Sequence, residues 1–423
     1  MVRTLARSLF MNYQNSISFA KSLDKKDSLK SYRKEFHYPK DSNGNELIYF
    51  CGNSLGLQPK SALEQIGKEF SVWSKKGVLG QEERWIDYHE RLIKSSANLV
   101  GARETEVVIM NALTVNVHLL LISFYNPNKK RKKILMEKDA FPSDQYAIQS
   151  QIGLHGFEVA DTLIEIGPRK GEKIIRDQDI INSIEKNSDE LALIYLGGLN
   201  YYTGQAFDME SIASCGRSRG ITVGFNLAHS AGNVPLKLHD WGVDFAAWCT
   251  YKYLCGGPGS PAGIFVHEQH HDWKGKRLLG WWGHEKESRF EMSSQFKPIL
   301  SSEAWQISNA PIMGMAPLIS SMEIFEKIGM ETIHKKGVHL SSFMEYLLRE
   351  NIPEVNIITP RNRGCQTSIV VPGGKKIYNF LIDNGVVCDW RNPDVIRIAP
   401  HPLFNSFVEI FKFINILKRA LNG

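Results

Sequence analysis

The chain has 423 residues, 43% of them hydrophobic and 23% charged, with a net charge of +6. That length supports one large folded domain with a smaller one beside it, and no run of about 18 apolar residues is present to cross a membrane as a helix. The six cysteines, at 51, 215, 249, 255, 365 and 388, form no CxxC pair, which argues for reduced cytosolic thiols over a disulfide framework or a zinc site.

The N-terminal stretch MVRTLARSLFMNYQNSISFAKSLDKKDSL carries basic residues and an apolar stripe. Asp24 and Asp27 follow, and no small-residue cleavage site stands out, so it reads as an amphipathic helix of the mature chain. A short strand, LIYFCG, comes after Pro39. GNSLGLQP turns into a helix near 60–76, and a second helix is predicted over 86–100. The run VVIMNALTVNVHLLLISF reads as a strand, a turn at Asn111 to Thr114, and a helix. NKKRKK at 128–133 concentrates charge, but no recognition motif or interleaved aromatics accompany it. It reads as a solvated turn, not a nucleic-acid surface.

Strands and helices then alternate. KKILMEKD is a strand and FPSDQYAIQSQIGLHG a helix. FEVADTLIEI is a strand, DQDIINSIEKN a helix, LALIYLG a strand and MESIASCGRSRG a helix. ITVGFNLA, GVDFAAWCT and PAGIFVHE are further strands. Repeated crossovers with continuous apolar strands predict an α/β fold, a mostly parallel sheet covered by helices. Past about residue 310 come a helical stretch, four strands near NIITP, QTSIVV, GVVCDW and VIRIAP, and a last helix, FVEIFKFINILKRALN. This predicts a smaller α+β domain. The division is 1–50 as an N-terminal segment packing on the small domain, 51–309 as the large domain and 310–423 as the small one.

Several residues stand where such a sheet binds ligands, beyond the carboxyl ends of its strands. Lys252, in DFAAWCTYKYLCGGPGS, follows a buried-looking strand and precedes a glycine-rich turn. Either its ammonium reaches solvent along a packed stem, or desolvation lowers its pKa and it reacts as an amine. His229, with Asn226 in FNLAHSAG, is a core histidine or part of a cofactor pocket. Thr114 opens a helix, as a plain N-cap or as part of an anion site. Phe141 and Asp144 share a strand-to-helix join, where an aromatic can stack on a flat ring and the carboxylate is a second candidate cap. Arg397, in the apolar strand VIRIAP, suits bidentate binding of a carboxylate.

Read together, CGNSLGLQP, LTVNVHLLL, KDAFPSD, YYTGQ, LAHSAGN, LHDWGVDFA, YKYLCGG, GWWGH, ISNAP and VCDWRNPDVIRIAPHPLFNS, in this order over some 350 residues, resemble the kynureninase family. The resemblance implies a fold-type-I enzyme with a seven-stranded-type sheet that binds pyridoxal 5′-phosphate. It would be a homodimer with active sites at the subunit interface, acting on a small amino acid and not on nucleic acid or membrane. The implied activity is hydrolysis of kynurenine to anthranilate and alanine in the cytoplasm.

The resemblance also implies residue roles. Lys252 would form the internal aldimine, with Tyr202 assisting proton movement. Leu113, Thr114 and Tyr251 would bind the phosphate end, Phe141 would stack on the ring, and Asp144 and His229 would line the same pocket. Trp281 and Asn309 would come from the dimer partner. Asn53, Ser54 and Arg397 would bind substrate, Arg397 through its α-carboxylate. No metal is implied.

Three positions depart from the family. Asn226 stands where relatives carry Asp against the ring nitrogen, so the electron sink is expected to be weaker. Gly197 stands where they have Ser or Thr, and Val78 where animal relatives have a histidine facing the substrate ring. Asn226 and Gly197 keep open a pyridoxal-phosphate paralogue with another amino-acid reaction, or a non-catalytic homologue.

Overall fold

The computed structural model describes residues 13–371 and 373–422. The N-terminal helix reading therefore lies in part outside the described residues. Within them, α1 is Ile17–Lys26, capped by the Ser16 hydroxyl on the Phe19 amide.

A seven-stranded sheet forms the centre. In chain order its strands are β2 (Val107–Met110), β3 (Lys133–Glu137), β4 (Leu163–Ile166), β5 (Leu191–Gly197), β6 (Thr222–Asn226), β7 (Phe245–Trp248) and β8 (Ala262–Val266). The spatial order is β2-β8-β7-β6-β5-β3-β4. The strands from β4 to β7 are parallel, and β8 alone runs against its neighbours. Alternate residues fill two separate cores. Ile109, Leu135, Ile194 and Phe225 point to one face, and Val108, Ile134, Leu193 and Phe245 to the other. A sheet buried on both sides needs apolar residues at every position, which is why these strands read as continuous hydrophobic runs.

Three local readings of the sequence change. The predicted helix over 86–100 is α-helical only over α3 (Ile93–Val100), and residues 81–92 are irregular helical turns. The cause is Glu69 on α2 (Ala62–Lys76). This fully buried carboxylate accepts from Arg84 Nε at 2.8 Å and Nη2 at 2.7 Å, Trp85 Nε1 at 2.9 Å and Tyr88 Oη at 2.9 Å. Burial pushes Glu69 up, but these donors outweigh it and leave its pKa below the usual value. FEVADTLIEI, predicted as one strand, begins with a helical turn at Val159–Thr162 before β4. GVVCDW and its neighbour split into β11 (Val386–Val387) and β12 (Asp389–Arg391), which pair in different sheets.

A four-stranded antiparallel sheet follows, ordered β12-β13-β10-β9, with β9 (Asn356–Ile357), β10 (Thr367–Val370) and β13 (Val395–Ile398). Its core includes Leu340, Phe343, Ile369, Ile396 and Phe413, together with Ala20 and Phe50 from the start of the chain. The first strand, β1 (Ile48–Tyr49), pairs in parallel with β11. Asp24 accepts from the Phe407 and Val408 amides at 2.7 and 3.1 Å and so caps the final helix, Phe407–Asn422. The basic run at 128–133 is tied down locally: Arg131 donates to the Gly220 and Arg219 carbonyls, and Lys133 pairs with Glu190.

Candidate active site

The strand directions bring five segments to one edge. β3, β5, β6 and β7 are parallel, so Glu137, Gly197, Asn226 and Trp248 end side by side, with Gly197 paired to Asn226 and Asn226 to Ala247. β8 reverses direction and β2 reverses it again, so Asn111 returns to the same edge and its carbonyl accepts from the Ala262 amide at 2.7 Å. The turns leaving this edge carry Leu113 and Thr114, Phe141 and Asp144, Tyr202, His229, and Lys252.

Lys252 Nζ lies 3.1 Å from His229 Nε2 and 5.9 Å from the centre of the Phe141 ring. Burial lowers its pKa, and the nearby guanidinium groups of Arg397 and Arg391 add to this, while Cys249 and Asp144 oppose it. Burial, then Lys252, Arg397 and Arg391, hold His229 well below the usual imidazole range, so it is neutral and can accept from the lysine. The backbone beneath is tight. The Gly56 amide donates to the Tyr251 carbonyl at 2.9 Å, and a Cβ at Gly56 would sit 2.5 Å from the Lys252 carbonyl. Only glycine fits so close to the lysine turn. Burial pushes the Tyr251 hydroxyl up to about 12, with neighbouring Cys249 adding to the rise.

Asp144 is not a cap. The N-cap position of α5 (Pro142–Leu154) is Phe141, and the Asp144 carboxylate accepts from Asn226 Nδ2 at 2.8 and 3.0 Å and from Tyr195 Oη at 3.3 Å. Burial raises its pKa to about 6 against the pull of these donors. Thr114 is not a cap either. The N-cap of α4 (Leu113–Phe124) is Ala112, and no side chain caps that end. Uncapped N–H groups at a helix start are suited to an anion.

A second group approaches from the small sheet. Arg397 is 1% exposed; it donates to the Tyr201 carbonyl at 2.6 Å and pairs closely with Asp389. The same Asp389 oxygen accepts from Arg391 at 3.0 Å and from the Ser54 hydroxyl at 2.9 Å. Asn53 donates to Gln366 at 3.1 Å, and its own oxygen is buried without a partner, as are Arg397 Nε and Arg391 Nε. Buried polar atoms of this kind are exceptions in folded proteins, and the charges of Arg397 and Arg391 both reach Lys252. Asp389, Arg391 and Glu137 were not singled out from the sequence. The first two sit within VCDWRNP, with alternating charges on one strand as the available signal.

Trp281 and Asn309 are not joined to this group by any contact among the described residues. Trp281 is 47% exposed and its indole donates to the Arg289 carbonyl, while Asn309 is exposed with the Ser308 hydroxyl on its oxygen. Val78 is also exposed. Among the described residues, two groups have metal-ligand chemistry, Glu106 with His239 and His267, and His89 with Glu90 and Glu303. Lys286 already sits on both carboxylates of the second. In the first, Glu106 is satisfied by the Arg103 and Glu268 amides and His239, and the two imidazoles stack at 11°, so their in-plane lone pairs do not converge.

The cluster suits a flat, phosphate-bearing carbonyl cofactor. It offers a desolvated amine, an aromatic ring facing that amine, a carboxylate at the sheet edge and an uncapped helix start. The comparisons agree. A family profile described as the kynureninase C-terminal domain matches residues 333–417. A kynureninase from Flavobacterium psychrophilum is 48% identical, covering 97% of this chain and 99% of the relative. The Homo sapiens kynureninase is 44% identical, covering 95% and 92%. Among solved structures, the apo cysteine desulfurase of Thermococcus onnurineus superposes with a TM-score of 0.76 at 20% identity, covering 93% of this chain and 98% of that one. A variant of the cystine C–S lyase C-DES with glycine linked to its PLP cofactor gives 0.75 at 18% identity, covering 88% and 96%.

Proposed function

The chain belongs to the kynureninase family, and we propose that it hydrolyses the Cβ–Cγ bond of L-kynurenine to anthranilate and L-alanine with pyridoxal 5′-phosphate as cofactor. The observation that carries this reading is Lys252, an amine held below its usual pKa, 3.1 Å from a neutral histidine and facing the Phe141 ring. When bound, the cofactor supplies a carbonyl that condenses with amines and a ring that accepts the electron pair released beside the nitrogen.

The chain's own residues do the rest. Lys252 would hold the cofactor through its amine and, when free, would move the proton at the substrate Cα. Its lowered pKa leaves more of it in the basic form near neutral pH. The uncapped start of α4, with Leu113 and Thr114, takes the phosphate together with Tyr251. Phe141 covers the ring face, and Asp144, braced by Asn226, brings negative charge to the sheet-edge side of the pocket. Arg397, while keeping the Tyr201 carbonyl and Asp389, would face the substrate α-carboxylate, with Asn53 and Ser54 as further substrate contacts. This fixes the bond to be broken relative to the ring. Tyr202 provides a proton at the γ-carbonyl oxygen as water adds there.

A homodimer completes the site in this reading. The exposed apolar residues Phe70, Trp73, Leu279, Trp281, Phe290 and Met292 support it. No helix among the described residues is long and apolar enough to cross a membrane, and all six cysteines are free, which supports a reducing, cytoplasmic setting. The test is spectroscopic and chemical. The purified protein should show a cofactor absorbance that Lys252→Ala abolishes, and should release anthranilate from kynurenine. A colourless wild type reconstituted with cofactor would overturn the reading. Running 3-hydroxykynurenine beside kynurenine would fix the ring preference.

A further inference from the structure

Glu137 ends β3 with 5% of its surface exposed, and no step above uses it. A carboxylate buried that deeply costs stability unless its oxygens are satisfied. Burial raises its pKa to about 7, with the nearby Asp144 charge adding to the rise and the bond from Asn200 opposing it.

Its partners form a chain that leads to Tyr202. Asn200 Nδ2 donates to Glu137 Oε2 at 3.0 Å. At its other end, Asn200 Oδ1 accepts from the Tyr202 amide at 3.0 Å, the Thr203 amide at 2.8 Å and the Thr203 hydroxyl at 3.0 Å. Both ends of the Asn200 amide are committed, so its orientation is fixed by the carboxylate on one side and the backbone on the other. The small sheet and the loop between β9 and β10 hold the same segment through its carbonyls. The carbonyls of Tyr201, Tyr202 and Thr203 accept from Arg397 at 2.6 Å, Ser368 at 2.7 Å and Thr359 at 2.5 Å.

Gly197 belongs to this arrangement. A Cβ placed there would lie 2.9 Å from Glu137 Oε1. A serine at 197 requires the Glu137 carboxylate to shift from its present position, and its Cβ would also lie 3.2 Å from the Leu199 carbonyl oxygen.

We infer that Glu137 is a positioning residue for Tyr202, acting through Asn200, and that glycine at 197 provides the space its carboxylate occupies. The first half rests on the reading of Tyr202 as a proton donor. The second half does not.

The test uses the holoenzyme and a set of substitutions. Glu137→Ala should lower kcat about 10–100-fold through misplacement of Tyr202. KM and the cofactor dissociation constant should stay within about threefold of wild type. Glu137→Gln, which keeps an acceptor for Asn200, should recover most of the loss. In a Tyr202→Phe background, Glu137→Ala should cost nothing further. A further drop there, or equal loss in the Gln and Ala variants, overturns the positioning role. Gly197→Ser should lower the melting temperature in the wild-type background and much less in Glu137→Ala, where the space is vacated. Additive melting shifts overturn the spatial pairing. If Tyr202→Phe alone leaves kcat unchanged, the Tyr202 reading fails and takes the positioning role with it, while the melting cycle still decides the Gly197 pairing.

Discussion

The side-chain amide of Asn226 donates to both oxygens of Asp144, at 2.8 and 3.0 Å, and its own oxygen accepts from the Ala228 amide at 2.9 Å. One carboxylate, that of Asp144, therefore lies against position 226, with the asparagine as its brace.

Asn226→Asp would place a second carboxylate within hydrogen-bond distance of the first. Two such groups cannot both ionise readily, so the folded apoprotein retains a proton that the unfolded chain has lost. The pair's second proton is therefore lost at a folded pKa above the unfolded value. Stability is lost as pH rises through that folded value. The apoprotein variant should melt about 1–2 °C below wild type at pH 8 for each kcal/mol of repulsion, and close to it at pH 4. A cationic ring relieves the repulsion, so the holoenzyme should release anthranilate faster than wild type. A slower variant would mean that the pocket has adapted to asparagine.

Asp144→Asn tests the same carboxylate from the other side. Asp144 has its pKa raised to about 6 by burial, so between its unfolded value near 4 and about 6 the folded protein holds the extra proton. Ionised Asp144 thus costs stability above that window and not below it. The apoprotein of Asp144→Asn should be more stable than wild type at pH 8, by on the order of 1–3 kcal/mol, and no more stable at pH 3.5. Its cofactor should dissociate more readily. Equilibrium urea unfolding and cofactor titration read the two opposite effects.

Arg397→Lys should raise KM for kynurenine about 10–100-fold with a smaller change in kcat. An ammonium cannot keep the Tyr201 carbonyl and Asp389 and also face a carboxylate with a planar fork. Steady-state kinetics with a cofactor-saturated variant check it.

Glu69→Ala should destabilise the protein by about 3–5 kcal/mol, because it leaves Arg84 beside unpaired buried donors from Trp85 and Tyr88. Limited proteolysis should then cut within 81–92 first. Cleavage elsewhere, or an unchanged melting temperature, would show that this turn is held by packing alone.

The sheet was legible because strands buried on both faces must be apolar throughout, and Ile194 and Phe225 obey that rule. Lys252 was legible for the converse reason: a cation at the mouth of such a strand is conspicuous. The helix over 86–100 was misread because its periodicity is real while its geometry is set by Glu69, a residue on another element. Glu137 escaped notice because a glutamate at a strand end is commonplace. Its importance depends on Asn200 and Gly197, more than 50 residues away, and no local pattern joins them. The Asn226–Asp144 pair was not legible, because Asp144 lies 82 residues earlier in the chain, on the helix that follows β3.

The pairing of Ile48 with Val386 has a bearing on how this protein is made. The first of these strands leaves the ribosome 338 residues before the second, about 17–70 s earlier at ordinary translation rates of roughly 5–20 residues per second. Asp24 waits longer still for the amides of Phe407 and Val408. The large sheet, by contrast, has all its strands by Val266 and can condense on its own during synthesis. Asn53 and Ser54 follow the early strand directly, and their partners Gln366 and Asp389 arrive late. The nascent chain therefore contains Lys252 well before it contains the partners of Asn53 and Ser54. The contacts of the early segment are complete only after Phe407 and Val408 have emerged, and a chaperone that shelters residues 13–50 until then would be guarding a late step of assembly.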